Sequence, residues 1–481
     1  MPFITVASVN AVEGRSGAGG PVQEPMPSEP DATFERAGPA AGAPGPRWSS
    51  AAWKILLAGI AVREALSFWT GHPYDFEVWI RTGHAVALGI NPYAFWPPIP
   101  GVSIAYYHQT LPSAAYLPFY PLILGGLYRL WMIVGGGNRF VLYFLLKQPP
   151  IVGDAAVAVL LYRLVGRWSG REATARSALA AWSFFPYAIV ISAVWGQFDS
   201  LVVALVLATL LVRTDLERQL LYGLGIFVKW ITVIFLPLEA LAARGVRRLY
   251  FLLGVAVPVL GTLAVFYAFG WGFTNIAAAS VSQSRGGGGG MSWVGIVTSF
   301  LLNPTLSRVP YLDLALSYVW VPAVVIAGAV GARWFRTGSP EGVLRALLLV
   351  TTVFLLTRWG LYEQYLLYLF ALFAIDLLVF HPGRRPLAAV VLVLASVFLL
   401  FNNDFGIRFL APLSPSVTAF TDALDANATF GLVRAYTLLV LCVLVTITLV
   451  QVVRTFVRDD PAPVPWLYFR RTPPATAGTA T

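Results

Sequence analysis

Residues 53–79 read WKILLAGIAVREALSFWTGHPYDFEVW. The first part, 53–70, is an apolar run of the length that a bilayer-crossing helix needs. Arg63 and Glu64 interrupt it, and they are expected to face other helices rather than lipid. Directly after it, Asp75 and Glu77 put two carboxylates where the chain would leave the bilayer. Acids at a membrane edge are expensive to place and often mark a site. A second acid, Asp199, stands at a similar boundary downstream, in Trp195-Gly196-Gln197-Phe198-Asp199-Ser200. If both boundaries lie on one side of the membrane, the two acids can face one cavity.

The pattern of that first stretch recurs along the chain. The 481 residues are 57% hydrophobic and only 12% charged, with a mean hydropathy of +0.71. A soluble chain carries roughly twice that charge fraction. The apolar runs are about 20 residues long, which indicates helices rather than a barrel of alternating strands. The expected class is therefore an all-α polytopic membrane protein. No run reads as a cleaved signal peptide. One cysteine, Cys442, excludes an internal disulfide and a cysteine-based metal site. The net charge of +10 does not indicate nucleic acid, because the arginines are spread over short loops between apolar runs.

Residues 1–52 and 459–481 are rich in small residues and proline and read as disordered cytoplasmic tails. One membrane domain, 53–458, lies between them. About twelve apolar segments are visible, near 53–70, 116–134, 140–165, 173–194, 199–213, 219–241, 249–270, 316–335, 343–358, 364–380, 387–401 and 434–453. Loops carrying Arg163 to Arg176, Arg213 and Arg218, Arg244 to Arg248, Arg333 to Arg345, Arg384 and Arg385, and Arg454 and Arg458 should be cytoplasmic. That assignment requires two segments not to cross. The segment 116–134 starts with Pro118 and Pro121, which break a regular helix start, and reads as re-entrant or interfacial. The segment 219–241 has arginines at both ends and should dip in and return, turning near Lys229. About ten crossings remain, with both termini inside. Asp75 and Asp199 then share the external face, beside long external loops at 71–115 and 271–315. The latter holds Arg285 and the run Gly286 to Gly290, readable as a linker or as a mobile gate.

Five local patterns carry chemistry. They are Asp75-Phe76-Glu77-Val78-Trp79 with Gly89 and Asn91-Pro92-Tyr93; Lys147-Gln148-Pro149-Pro150 with Asp154; Gly196-Gln197-Phe198-Asp199-Ser200; Tyr222-Gly223-Leu224-Gly225 with Lys229 and Pro237; and Arg358 with Glu363-Gln364-Tyr365. In this order and spacing they resemble the GT-C superfamily of integral-membrane glycosyltransferases. Within it, the chain is similar to the first mannosyltransferase of GPI-anchor synthesis and its prokaryotic relatives, over roughly residues 60–375. The resemblance implies a polyprenyl-phosphate sugar as donor, a glycan or glycolipid acceptor, an external active site and inversion by single displacement. It puts Asp75 in the place of the catalytic acid. Pro73 stands where the family has a first Asp, and Glu77 supplies a second carboxylate two residues later. Asp199, Lys229 and Gln364-Tyr365 match further family positions, and Arg358 lies near the family's lysine. No likeness extends past 380.

The residues themselves fit such chemistry. Glycosyl transfer from a lipid phosphate needs a base for the acceptor hydroxyl and cations for the departing phosphate. Asp75 and Glu77 are the candidate catalytic acids. Gln197, Asp199, Lys229, Arg358, Gln364, Tyr365, Lys147 and Asp154 are the candidate substrate-binding residues, with Arg285 a further cation. The chain has just three lysines, and Lys147 and Lys229 both fall inside apolar segments. Structural readings stay open beside these. Asp199 can cap the following helix. Lys147 and Asp154, two helical turns apart, can pair with each other, as can Arg358 and Glu363. Lys229 can snorkel. His72 and His108 lack a second cluster to complete a metal site, although a divalent metal stays open. Aromatics in 93–107 can stack on a sugar ring. Two other classes remain: a secondary transporter, which should show paired repeats with broken helices, and a non-catalytic subunit of a membrane complex, which would keep the helices and lose the acids.

Overall fold

The computed structural model describes residues 48–94, 96–104, 116–273, 276, 290–298, 310–336 and 338–458. The expected tails, Arg285, Gly286 to Gly289 and His108 lie outside the described residues, apart from residues 48–52. Within them the protein is an all-α, multi-pass membrane protein, and the one extended pairing is an isolated bridge between Gly290 and Leu361.

The chain opens with α1 (Ser50–Ser67), α2 (Pro73–Ala87), α3 (Phe119–Val134) and the long α4 (Arg139–Ser169). A bent pair follows, α5 (Glu172–Ser183) and α6 (Pro186–Trp195), then α7 (Asp199–Ala208). Next come α8 (Asp215–Val228), α9 (Trp230–Ala242) and α10 (Arg247–Phe269). The last helices are α11 (Leu314–Phe335), α12 (Pro340–Thr357), α13 (Glu363–Phe380), α14 (Pro382–Asn402), α15 (Pro415–Ala426) and α16 (Ala428–Arg458). Seven of these are long and apolar enough to cross a bilayer, or eight with the bent pair taken as one span. The expected ten is reached only by adding α1 and α7. The first carries Lys54, Arg63 and Glu64, and the second is only ten residues long.

The bend between α5 and α6 is 43°. Pro186 has no N–H to offer the carbonyl four residues back, so the turn before it is left open. Arg63 of α1 fills the gap. Its Nη1 donates to Ser183 O (2.6 Å) and Nη2 to Trp182 O (3.3 Å). Its charge is met by Asp154 of α4, whose Oδ2 accepts from Arg63 Nε at 2.8 Å and also from Ser192 Oγ. Asp154 is thus tied to Arg63, not to Lys147, and Arg63 faces the bundle as expected. Behind it, Gly153 allows α7 to approach: a Cβ there would lie 2.6 Å from Leu201 N.

The segment 215–242 enters and returns. A capping box formed by Thr214 and Glu217 starts α8. The helix stops at Lys229, which is extended (φ −154°, ψ 122°), and α9 runs back. Its two ends meet: Asp215 pairs with Arg247 at 2.7 Å, and Glu239 accepts from Gln219 Nε2 at 2.7 Å. Gly223 and Gly254 let α10 brace α8 closely; a Cβ on Gly223 would lie 2.1 Å from Gly254 O.

Helix α3, at 16 residues, falls short of a full crossing and lies parallel to α2. Trp79 meets Tyr120, His84 meets Tyr128, and Arg129 Nε donates to Ala87 O at 2.8 Å. Among the candidate spans α13 is the most enclosed, whereas most of α10 is unburied. The site is therefore built on the inner elements.

Candidate functional site

At the start of α2, Pro73 sets the first helical φ and His72 caps the helix, its Nδ1 accepting from Asp75 N at 3.3 Å. A ring nitrogen that accepts carries no proton. Burial lowers the pKa of His72 to about 4, outweighing the Asp75 carboxylate 3.7 Å away. The base beside Asp75 is therefore neutral near pH 7.

The Asp75 side chain is 27% exposed. Its Oδ2 accepts two hydrogen bonds, from Trp195 Nε1 (2.8 Å) and Gln197 Nε2 (2.9 Å). Both donors flank Gly196, whose φ of +92° favours glycine and whose Cβ position would lie 2.9 Å from the Phe76 ring. The break between α6 and α7 is thus folded against the first turn of α2, and the two sequence motifs meet there.

Two residues on, Glu77 lies about 200° around the helix from Asp75. It is fully buried. Oε1 accepts from Arg81 Nε (2.6 Å) and Ser103 Oγ (2.5 Å), and Oε2 from Ile104 N (2.8 Å). Burial raises the Glu77 carboxyl above the usual range, against the opposing pull of Ser103 and Arg81. Both oxygens are occupied in anchoring residues 103–104, and Glu77 is not brought to Asp75.

Deeper in, Asp199 opens α7 and pairs with Lys229 at 2.8 Å, both side chains fully buried. The tip of the returning segment thus meets the broken end of α6–α7. Lys229 Nζ also stands over the rings of Tyr116 (5.2 Å), Phe198 (4.9 Å) and Tyr365 (5.4 Å). Arg358, at the end of α12, stands over Tyr365 (5.5 Å) and Trp230 (4.6 Å). Lys229 and Arg358 come from the ends of two separate helices and share one aromatic ring. Gln364 is buried beside Tyr365 in sequence, and among the described residues its Oε1 has no hydrogen-bond partner. Glu363 accepts from Asn402 Nδ2 at 2.8 Å rather than pairing with Arg358. Tyr362 feels the charge of Asp75, and burial first, then Tyr365 and Asp75, raises its phenol to about 12.

Lys147 is buried without joining this group. Its Nζ donates to Thr70 O (2.5 Å), Thr70 Oγ1 (2.9 Å) and Val194 O (3.3 Å), stitching the end of α1 to the end of α6. Asp154, held by Arg63, lies with the bend and not with Asp75. Among the described residues no three His, Cys, Asp or Glu side chains cluster as a metal site.

Two elements of the site carry no functional signal in the sequence. Trp195 holds Asp75. Its ring is stacked on His72 (4.8 Å) and backed by Phe409 (5.5 Å). Phe409 belongs to residues 404–410, fixed by Gly71 N donating to Phe409 O (2.8 Å) and by Asp404 and Asp425 pairing with Arg408 and Arg434. No motif marks that segment; only the alternation of acid and arginine between α14 and α16 hints at it.

Residues 150–357 match the model of glycosyltransferase family 87. The match takes in Asp154, Gln197, Asp199 and Lys229 and stops one residue before Arg358. Asp75 lies outside it and joins it through Trp195 and Gln197. No curated protein matches the chain. The family match supports a membrane glycosyltransferase. It names no sugar, donor or acceptor.

Proposed function

We propose that this protein transfers a hexose, mannose being the first choice, from a polyprenyl-phosphate carrier to a glycan or glycolipid acceptor on the external face of the membrane. The observation that carries the reading is the junction of Asp75 with the family-matched segment. A partly exposed carboxylate, tied to Trp195 and Gln197, lies within electrostatic reach of Asp199 and Tyr365, which meet Lys229 and Arg358.

In this reading the acceptor oxygen attacks the anomeric carbon on the side opposite the phosphate. The bond from that carbon to the phosphate oxygen breaks, its electron pair leaves with the polyprenyl phosphate, and the hydroxyl proton passes to Asp75. The configuration inverts. Lys229 and Arg358 face the phosphate as it gains charge, Arg by its planar fork and Lys as a point charge. Gln364, Tyr365 and Asp199 hold sugar hydroxyls or the acceptor. Glu77, Lys147 and Asp154 support the site from behind it. A groove of about 250 Å³, lined by Val233, Pro237, Phe251, Trp320 and Val324, adds support for a lipid-borne donor. Trp320 packs on Trp230 (6.0 Å), the ring beneath Arg358.

The orientation follows from the arginine-rich loops, which put both termini in the cytoplasm and Asp75 outside. The test of the function is a membrane assay with radiolabelled polyprenyl-phosphate mannose, followed by identification of the labelled product. Label entering a glycan or glycolipid supports the reading. No transfer from that donor, with transfer from another activated sugar, removes the polyprenyl-phosphate mannose assignment.

A further inference from the structure

We infer that Trp195 and Gln197 are positioning residues that hold Asp75 by one oxygen, Oδ2, and thereby assign the other, Oδ1, as the atom that takes the acceptor proton. The inference rests on Asp75 being the base and goes further by naming the atom and what aims it.

Four observations carry it. First, two N–H donors converge on the same carboxylate oxygen, at 2.8 and 2.9 Å. A carboxylate gripped at one oxygen by two donors cannot rotate without breaking both bonds. Secondly, among the described residues no hydrogen bond reaches Oδ1, and the side chain is open to solvent on one side. Thirdly, the donors are themselves fixed. Gly196 sets the turn between them, Gln197 N donates to Ile191 O at 2.9 Å, and the Trp195 ring is clamped between His72 and Phe409. Fourthly, the imidazole nitrogen near Asp75, Nδ1, accepts from Asp75 N, so that nitrogen offers the acid no proton. Both donors are neutral. They orient the carboxylate without the full charge of an arginine or lysine, which would hold its electrons too firmly for a base.

The clamp also gives residues 404–410 a part in the reaction. Phe409 backs Trp195, and the Asp404, Asp425, Arg408 and Arg434 pairs hold that segment in place. This region lies beyond every motif in the sequence.

Trp195→Phe keeps the stacked ring and removes the N–H; Gln197→Leu removes the second donor and keeps the bulk. The decisive readout is the pair of Asp75 carboxylate stretching bands in infrared difference spectra of the purified full-length protein, with Asp75→Asn subtracted to assign them. Two donors on one oxygen make the two C–O bonds unequal, so losing one donor should narrow the separation of the bands. Turnover should fall roughly tenfold with donor KM little changed. If the bands of both variants match the parent's, the positioning role is wrong, whatever the activity. If one variant does not insert, the other decides. Failure of the base assignment shows separately: Asp75→Asn would retain turnover even though the bands draw together in Trp195→Phe.

Discussion

The two ends of the helical bundle handle their acids differently. At the end where the 215–242 segment opens, the acids have basic partners: the half-buried Asp215 has Arg218 (2.9 Å) and Arg247, Glu239 has Arg218 (3.4 Å), and Asp376 has Arg384 (3.1 Å) and His381. At the Asp75 end the loop acids Asp404 and Asp425 are paired in the same way. Among the described residues Asp75 and Glu363 have no arginine or lysine partner. The first is bound by neutral indole and amide groups, the second by the Asn402 amide. A paired acid has its charge balanced by its partner, whereas an acid with neutral partners keeps its own. The contrast sets Asp75 apart from the paired acids, Asp199 with Lys229 among them.

The comparison is broken most forcefully at Asp75. Asp75→Asn keeps the shape and the Trp195 contact but loses the base, and turnover should fall by about 10²–10⁴-fold with normal insertion. Near-full turnover in that variant would place Asp75 among the scaffold acids. Lys229→Gln leaves Asp199 buried without its cation. Removing one partner of such a pair costs about 3–5 kcal/mol, so the midpoint of thermal unfolding in detergent should drop several degrees. Donor KM should also rise, and a rise with Arg358→Gln as well would put both cations on the phosphate. Unchanged donor kinetics in both would confine them to structure. Glu77→Gln should act on stability and not on chemistry. Arg81 loses its charged partner, while turnover per folded molecule should change less than about tenfold. If Glu77→Gln abolishes turnover and Asp75→Asn does not, the two acids exchange roles. The smallest effect is expected at the opposite end. Asp215→Asn should cost about 1 kcal/mol, with kinetics unaltered, because the pair is partly solvated.

Orientation is a separate way to sharpen the contrast. Single cysteines near Asp75 and near Asp199 should react with an impermeant reagent from outside, and cysteines near Arg171 and Arg384 only from inside. External labelling near Arg171 would remove the arginine-based topology.

Much of this was legible in the sequence, for physical reasons. Span length and the arginine bias follow from the bilayer alone, so the helical class and the returning segment at Lys229 were readable. Asp75 was readable because it follows an apolar run directly. The mate of each buried charge was not. Lys147 and Asp154 are correctly spaced to pair on one helix, yet Pro186 opens carbonyls that Arg63 must fill, and Arg63 then takes Asp154. That contact is set by tertiary geometry across helices distant in sequence. Glu77 stood beside Asp75 as a second candidate carboxylate two residues on, but on a helix that spacing means opposite faces. The segment 404–410 carries no pattern at all, because it works through packing on Trp195. Length and apolarity alone leave out α1, which carries charge, and α7, which is short; their crossing rests on the arginine bias.

The closed ends of the 215–242 segment make α8 a ruler. With Asp215 pinned to Arg247, the depth and direction of Lys229 are set by the fourteen residues of α8, about 21 Å of rise. One inserted residue would lift the lysine by about 1.5 Å and swing it by about 100°, away from Asp199 and Tyr365 together. Side chains along α8 can therefore drift freely on the outer face, but its length cannot. Among related chains, α8 should tolerate substitution far more readily than a single insertion or deletion.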